Sequence, residues 1–180
     1  ITDEIYERLV FDTPHVCFAS LPAMQHRTLL VSGFSKGFAM TGYRLGYLAA
    51  NEHVIEKVTK LQALIAGPVS SSTQKAGIVA LRDVSAQWTD ARVQELRVKR
   101  DFVLKRLREM PGVVCQTPEG AFYVLPDIAC CMSAGSRVQT AEAFCKVLLE
   151  DYNVALTPGE AFRAPSSVRL SYACSLEDLE

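Results

Sequence analysis

Long apolar runs are missing from this 180-residue sequence. No stretch approaches the roughly 20 residues that a bilayer-spanning helix requires, which excludes that class. Charge of one sign is missing as well. Nineteen Lys and Arg stand against 20 Asp and Glu, scattered rather than blocked, for a formal net charge of −1. A nucleic-acid or membrane-surface partner therefore has no electrostatic footprint, and no helix-turn-helix pattern is present. The six cysteines (Cys17, Cys115, Cys130, Cys131, Cys145, Cys174) form no CxxC pair, and His15, His26 and His53 stand at no metal-like spacing from them. Cys115, Cys145 and Cys174 lie in apolar stretches, where a reduced thiol behaves as a small hydrophobe. Reduced, structural cysteines in a reducing compartment are expected, the cytoplasm first and the mitochondrial matrix as the alternative. Ile1-Thr2-Asp3-Glu4 offers neither an initiator Met nor the basic-then-apolar layout of a signal peptide. There is no repeat and no low-complexity tract.

What is present is ordinary for a globular chain: 49% hydrophobic and 22% charged residues, enough to bury a core in one domain or a little more. Residues 28–33 read as a buried strand closed by Gly33, and 43–49 as a further strand. Asn51 caps a helix whose apolar positions Val54, Val58, Leu61 and Ile65 recur at three and four. Gly67-Pro68 ends it, and Ser70-Ser71-Ser72 opens another helix through Leu81. A long charge-rich helix follows from about Ser85 to Met110, with Val93, Leu96, Val103, Leu107 and Met110 on one stripe, stopped by Pro111-Gly112. Beyond it, short strands at Val113–Cys115, Phe122–Leu125, Val154–Thr157 and Val168–Tyr172 surround one helix, Thr140–Tyr152. Ser133–Ser136 is the expected flexible loop. The alternation predicts an α/β fold of two units joined by the long helix. Both ends look cut: Asp3 arrives without the apolar strand that should lead to it, and Ser175–Glu180 starts a helix that does not continue.

The chemistry concentrates in SGFSKGFAMTGYRLG, residues 32–46. A lysine just past the carboxyl end of a buried strand stands where open α/β sheets bind ligands. Arg44 follows Lys36 by eight residues, with Gly37, Gly42 and Gly46 allowing close backbone approach. A lysine amine condenses with an aldehyde, and an arginine fork holds a phosphate. Pyridoxal phosphate needs both at once. The competing explanation is a surface Lys and Arg flanking a glycine loop.

With Gly33-Phe34-Ser35-Lys36 and Gly42-Tyr43-Arg44-Leu45-Gly46 in order, the segment resembles the cofactor-lysine signature of the class I aminotransferases, which are fold-type I pyridoxal-phosphate enzymes. The resemblance implies that Lys36 carries pyridoxal 5'-phosphate as a Schiff base and that Arg44 holds its phosphate. Some relatives carry a serine where this chain has Gly33, so Ser32, Ser35 or backbone amides would complete the phosphate contacts. Asp3-Glu4-Ile5-Tyr6 resembles the family's DExY element. Asp3 would then pair with the pyridine nitrogen and keep it protonated, and Tyr6 would reach the ring oxygen.

Near the other end, Val154–Phe162 followed by Val168-Arg169-Leu170-Ser171-Tyr172-Ala173 is similar to the family's small-domain segment, which implies that Arg169 binds the substrate α-carboxylate. On the residues alone, Arg169 is either an edge-strand solvent arginine or a ligand-seeking one. Pro118–Tyr123 matches a small-domain turn and strand of structural role. The resemblance implies residues 1–84 as part of the cofactor-binding large domain, 85–110 as the connecting helix and 111–180 as a small domain lacking its C-terminal helix. It covers only the later half of a typical member. The missing half would supply another phosphate loop, the aromatic stacked on the ring and an Asn on the ring oxygen. The implied activity is transamination between an amino acid and a 2-oxo acid, aspartate or broad specificity favoured, in a homodimer. A β-lyase or cyclopropane-carboxylate-synthase-like enzyme on the same scaffold, or a pyridoxal-phosphate-binding regulatory module, are the alternatives.

Overall fold

Three strands form the first sheet: β1 (Thr2–Asp3), β2 (Leu30–Gly33) and β3 (Gly46–Ala49), in the order β1-β2-β3. The computed structural model describes residues 1–180, which divide into two compact units, Ile1–Val93 and Gln94–Glu180. β2 is central, parallel to β1 and antiparallel to β3, and its Ser32 and Gly33 are buried. The strand expected over 43–49 starts later, at Gly46. Thr41–Tyr43 makes a 3-10 turn, and Arg44 leaves it in the left-handed region at φ 53°, where no strand can run.

Helix α1 (Glu52–Ile65) begins where Asn51 accepts the Val54 amide, at 3.1 Å. It stops where the amides of Ala66 and Gly67 both turn back to the Gln62 carbonyl, with Gly67 at φ 66° and Pro68 after it. Its expected apolar stripe is only half covered: Val54 and Val58 are half-buried, while Leu61, Leu64 and Ile65 are exposed. Helix α2 (Ser71–Asp83) lies against Leu45 and Phe34 at Gly77. Helix α3 (Ala86–Arg108) starts in the first unit and ends in the second. Of its stripe, Val93, Val103 and Leu107 are buried and Met110, past the helix end, is exposed.

The second unit holds β4 (Tyr123–Val124), β5 (Thr157–Pro158) and β6 (Val168–Ser171), with β6 between the other two and antiparallel to both. Helix α4 (Ala141–Tyr152) is capped by Thr140, whose hydroxyl accepts the Ala143 amide. It closes on Asn153 in the left-handed region, with the Val154 amide returning to Leu148. That return takes up residue 154, so the strand predicted from Val154 pairs only at Thr157–Pro158. The strand expected at Val113–Cys115 reduces to one bridge, Val114 to Asp127. Ser133–Ser136 is a closed turn in which the Ser136 hydroxyl reaches the carbonyls of Ser133 and Val138, each at 2.7 Å. The core comprises Ile128, Ala141, Cys145 and Val168, with Met132, Phe144 and Leu156 packed on it. At the C-terminus, Ser175 and Asp178 bond each other's amides reciprocally, as at a helix start, and the turn Glu177–Leu179 follows. All six cysteines are free thiols.

Candidate functional site: the carboxyl edge of the first sheet

Strand direction brings three segments to one edge. β1 and β2 are parallel, so both end there, and antiparallel β3 starts there, with Gly33 paired to Gly46. Asp3 closes β1, Lys36 follows β2 by three residues, and Arg44 precedes β3 by two. The crossing of chains at Gly33 is tight. A Cβ on Gly33 would lie 2.8 Å from the Leu45 carbonyl oxygen and 3.0 Å from the Gly46 Cα, so only glycine fits.

The loop bearing Lys36 is closed on itself. Phe34 N donates to Leu45 O at 3.1 Å, Met40 N to Phe34 O at 3.2 Å, and Ala39 N to Lys36 O at 3.1 Å. Phe34 is buried; its ring stacks on Phe38 with centroids 5.1 Å apart and meets Tyr47 edge-on. The guanidinium of Arg8 sits 4.0 Å above the Phe38 ring. Lys36 thus leaves a loop closed by backbone hydrogen bonds and is itself half-buried. Asp3 is exposed, and its Oδ1 accepts only the Ile5 amide, at 3.1 Å, in the turn that carries half-buried Tyr6.

Arg44 is held in a left-handed conformation that costs an ordinary residue about 1–2 kcal/mol. Its exposed guanidinium donates to the Thr41 carbonyl at 3.0 Å and meets no carboxylate of the chain. It borders a cleft of about 310 Å³ with Tyr43, Gln62, Gly67, Ser70 and Thr73. The two expected serines separate. Ser32 is buried and its hydroxyl donates to the Glu4 carbonyl at 3.3 Å, inside the sheet, whereas Ser35 is half-buried in the lysine loop. An amine, a guanidinium without an acid and a carboxylate without a base therefore share one edge. That donor set fits a molecule bearing an aldehyde, a phosphate and a basic ring nitrogen.

In the second unit, Arg169 lies on the central strand β6, opposite Thr157, which removes the edge-strand alternative. Its guanidinium stands between the rings of Tyr123, at 4.5 Å, and Phe162, at 4.6 Å. Its only hydrogen bond is a long one, 3.5 Å, to the Thr157 hydroxyl, and no carboxylate pairs with it. It is half-buried, stacked on two rings and unneutralised by any carboxylate, an arrangement that leaves its planar fork able to pair with an anion. Tyr123 and Phe162 drew attention in the sequence only as parts of motifs. Phe162 precedes Arg169 by seven residues, and no periodicity links them.

Sheet, lysine loop and neighbouring structures together define a fold-type I aminotransferase architecture. The aspartate aminotransferase of Rhizobium meliloti superposes with a TM-score of 0.90 at 36% identity over 98% of this chain and 45% of its own. The aromatic aminotransferase of Pyrococcus horikoshii does so with a TM-score of 0.90 at 39% identity over 99% and 47%. The chain belongs to the aminotransferase class I and II family, whose model matches residues 1–180; its members depend on pyridoxal phosphate. An aspartate aminotransferase of Pinus pinaster is 42% identical over 99% of this chain and 38% of its own length. The chain spans less than half the length of the relatives it matches.

Proposed function

We propose that the full-length protein transfers an amino group between an amino acid and a 2-oxo acid with pyridoxal phosphate, aspartate being the favoured donor. The observation that supports this is that the segments bearing Lys36, Arg44 and Asp3 all lie at one end of the same sheet, with the Arg44 and Asp3 charges unmatched within the chain. The Lys36 amine holds the aldehyde carbon, and Arg44, with Ser35, grips the phosphate. Asp3 keeps a proton on the ring nitrogen, and the Tyr6 hydroxyl takes the ring oxygen. When bound, the cofactor supplies an electron sink for the charge left by the departing α-proton. Lys36 Nζ, once free, moves that proton as base and then as acid. Arg169 binds the α-carboxylate through its fork, steadied by Tyr123 and Phe162. Aspartate is favoured on the names borne by the pine and Rhizobium relatives. A homodimer agrees with the apolar surface of α1, where Leu64 is 86% and Ile65 73% exposed.

Spectroscopy of the full-length protein tests the assignment. Lys36→Ala should remove both the visible absorbance of the lysine-bound cofactor and amino transfer from aspartate to 2-oxoglutarate. Retention of both would overturn it. Parallel assays with alanine and an aromatic amino acid rank the donors.

A further inference from the structure

Outside the sheet edge, one pair of nucleophiles stands together. Cys130 and Cys131 occupy a 3-10 turn, Ala129–Cys131, with both thiols exposed and their sulfurs 3.7 Å apart. The turn is held firmly. Asp127 Oδ1 accepts the Ala129 amide at 2.8 Å, and Oδ2 accepts the Ser166 hydroxyl at 2.8 Å. The Cys131 amide donates to Ile128 O at 2.8 Å, and Ile128 is rooted in the core. Gly112 backs Cys130: a Cβ there would come within 2.7 Å of the cysteine Cβ and 3.2 Å of its Sγ.

The sulfur separation discriminates among partners. A direct disulfide wants Cα atoms about 4.4–6.8 Å apart, yet adjacent residues across a trans peptide sit about 3.8 Å apart, so closure would strain the turn. Two bonds of about 2.3 Å from a single soft atom, opened by about 95–110°, span about 3.4–3.8 Å, so the 3.7 Å present needs at most a small closing of the two side chains. Zinc would want four ligands, and no three His, Cys, Asp or Glu side chains of this chain gather into a site. The centre that suits the pair is one satisfied by two sulfurs and a substituent of its own. We propose that Cys130 and Cys131 form a surface dithiol that captures one trivalent organoarsenic centre of the arsenoxide class.

The chemistry balances without an oxidant. R–As=O and two S–H groups give R–As(–S–)₂ and one water; two As–S bonds form, and the thiol protons leave with the oxygen. Desolvation, reinforced by neighbouring Cys130, pushes the Cys131 thiol up from its ordinary range; the proton balance of the overall step is the same whether the protons leave directly from sulfur or pass through solvent. Nothing in the step involves the lysine edge, so it stands independently of the proposed transamination.

The test uses the reduced full-length protein and phenylarsine oxide. Intact mass should show one phenylarsenic group gained and two hydrogens lost. Tryptic mapping should place the adduct in residues 109–137. Chelation predicts survival in excess 2-mercaptoethanol and removal by 2,3-dimercaptopropanol. Cys130→Ser and Cys131→Ser should each lose the monothiol-resistant adduct, and Cys115→Ser, in the same peptide, should keep it. Absence of the adduct from 109–137 in the parent protein, or its persistence there in either of the first two variants, would overturn the proposal.

Discussion

Across eleven residues of chain, the His15 Nε2 donates to the Glu4 carboxylate at 2.8 Å, directly behind the strand end that presents Asp3. The Phe18 amide adds a bond to the other Glu4 oxygen at 2.9 Å. Glu4 is only 5% exposed, so segment 15–18 is stapled beneath the sheet edge by one buried acid. Burial alone would raise the Glu4 carboxyl. The hydrogen bonds from His15, Phe18 and Cys17 together outweigh it and hold the group below its ordinary range.

Acid sensitivity follows from that shift. A carboxyl whose folded pKa lies below the unfolded 4.5 contributes stability that is present above about pH 4.5 and lost as pH falls through the folded value. Glu4→Gln should flatten this part of the acid limb in thermal unfolding. At neutral pH it should also destabilise the protein by roughly 1–3 kcal/mol, because the donors lose a charged acceptor. Identical acid limbs in the two proteins would show that the staple is energetically silent.

Gly33→Ala tests the crossing of β2 and β3. The added carbon would meet backbone atoms at 2.8 and 3.0 Å, which no side-chain rotation relieves. The expected cost is about 1–3 kcal/mol. Because the loops of Lys36 and Arg44 both depart from this point, pyridoxal-phosphate affinity should fall at least about tenfold. Titration of the apoprotein measures it, and unaltered affinity would separate the crossing from the site.

For Arg169, the proposed function predicts a specific kinetic pattern. Arg169→Lys keeps the charge but loses the planar fork and its stacking on Tyr123 and Phe162. A loss of about 2 kcal/mol corresponds to roughly 30-fold in kcat/KM. It should fall mainly on KM for both amino and oxo acids, with cofactor absorbance unchanged. An effect on absorbance without one on KM would remove Arg169 from substrate binding.

Stability of the second unit should depend on Ile128, 4% exposed in the core cluster. Ile128→Ala should cost about 2–5 kcal/mol, read as a lower denaturant midpoint. A change below about 0.5 kcal/mol would mean that the site is not packed as described.

Local signals made much of this protein legible. Asn51 and Thr140 accept helix amides where capping chemistry puts them, and the lysine segment was readable because a loop between two strands must spell out its own turns. Lys36, Arg44 and Asp3 could be singled out by residue type and order. Their convergence could not: it depends on β1 running parallel and β3 antiparallel to β2, a choice made by pairing over long sequence distances. The same holds for His15 on Glu4, for the rings around Arg169, and for Ser32, whose hydroxyl is absorbed by a neighbouring strand. Strand ends at Gly46 and Thr157 were likewise set by turns stabilised elsewhere. Short-range hydrogen bonding and side-chain chemistry are written residue by residue, whereas which distant groups meet is decided only when burial and sheet pairing choose one arrangement of the whole chain.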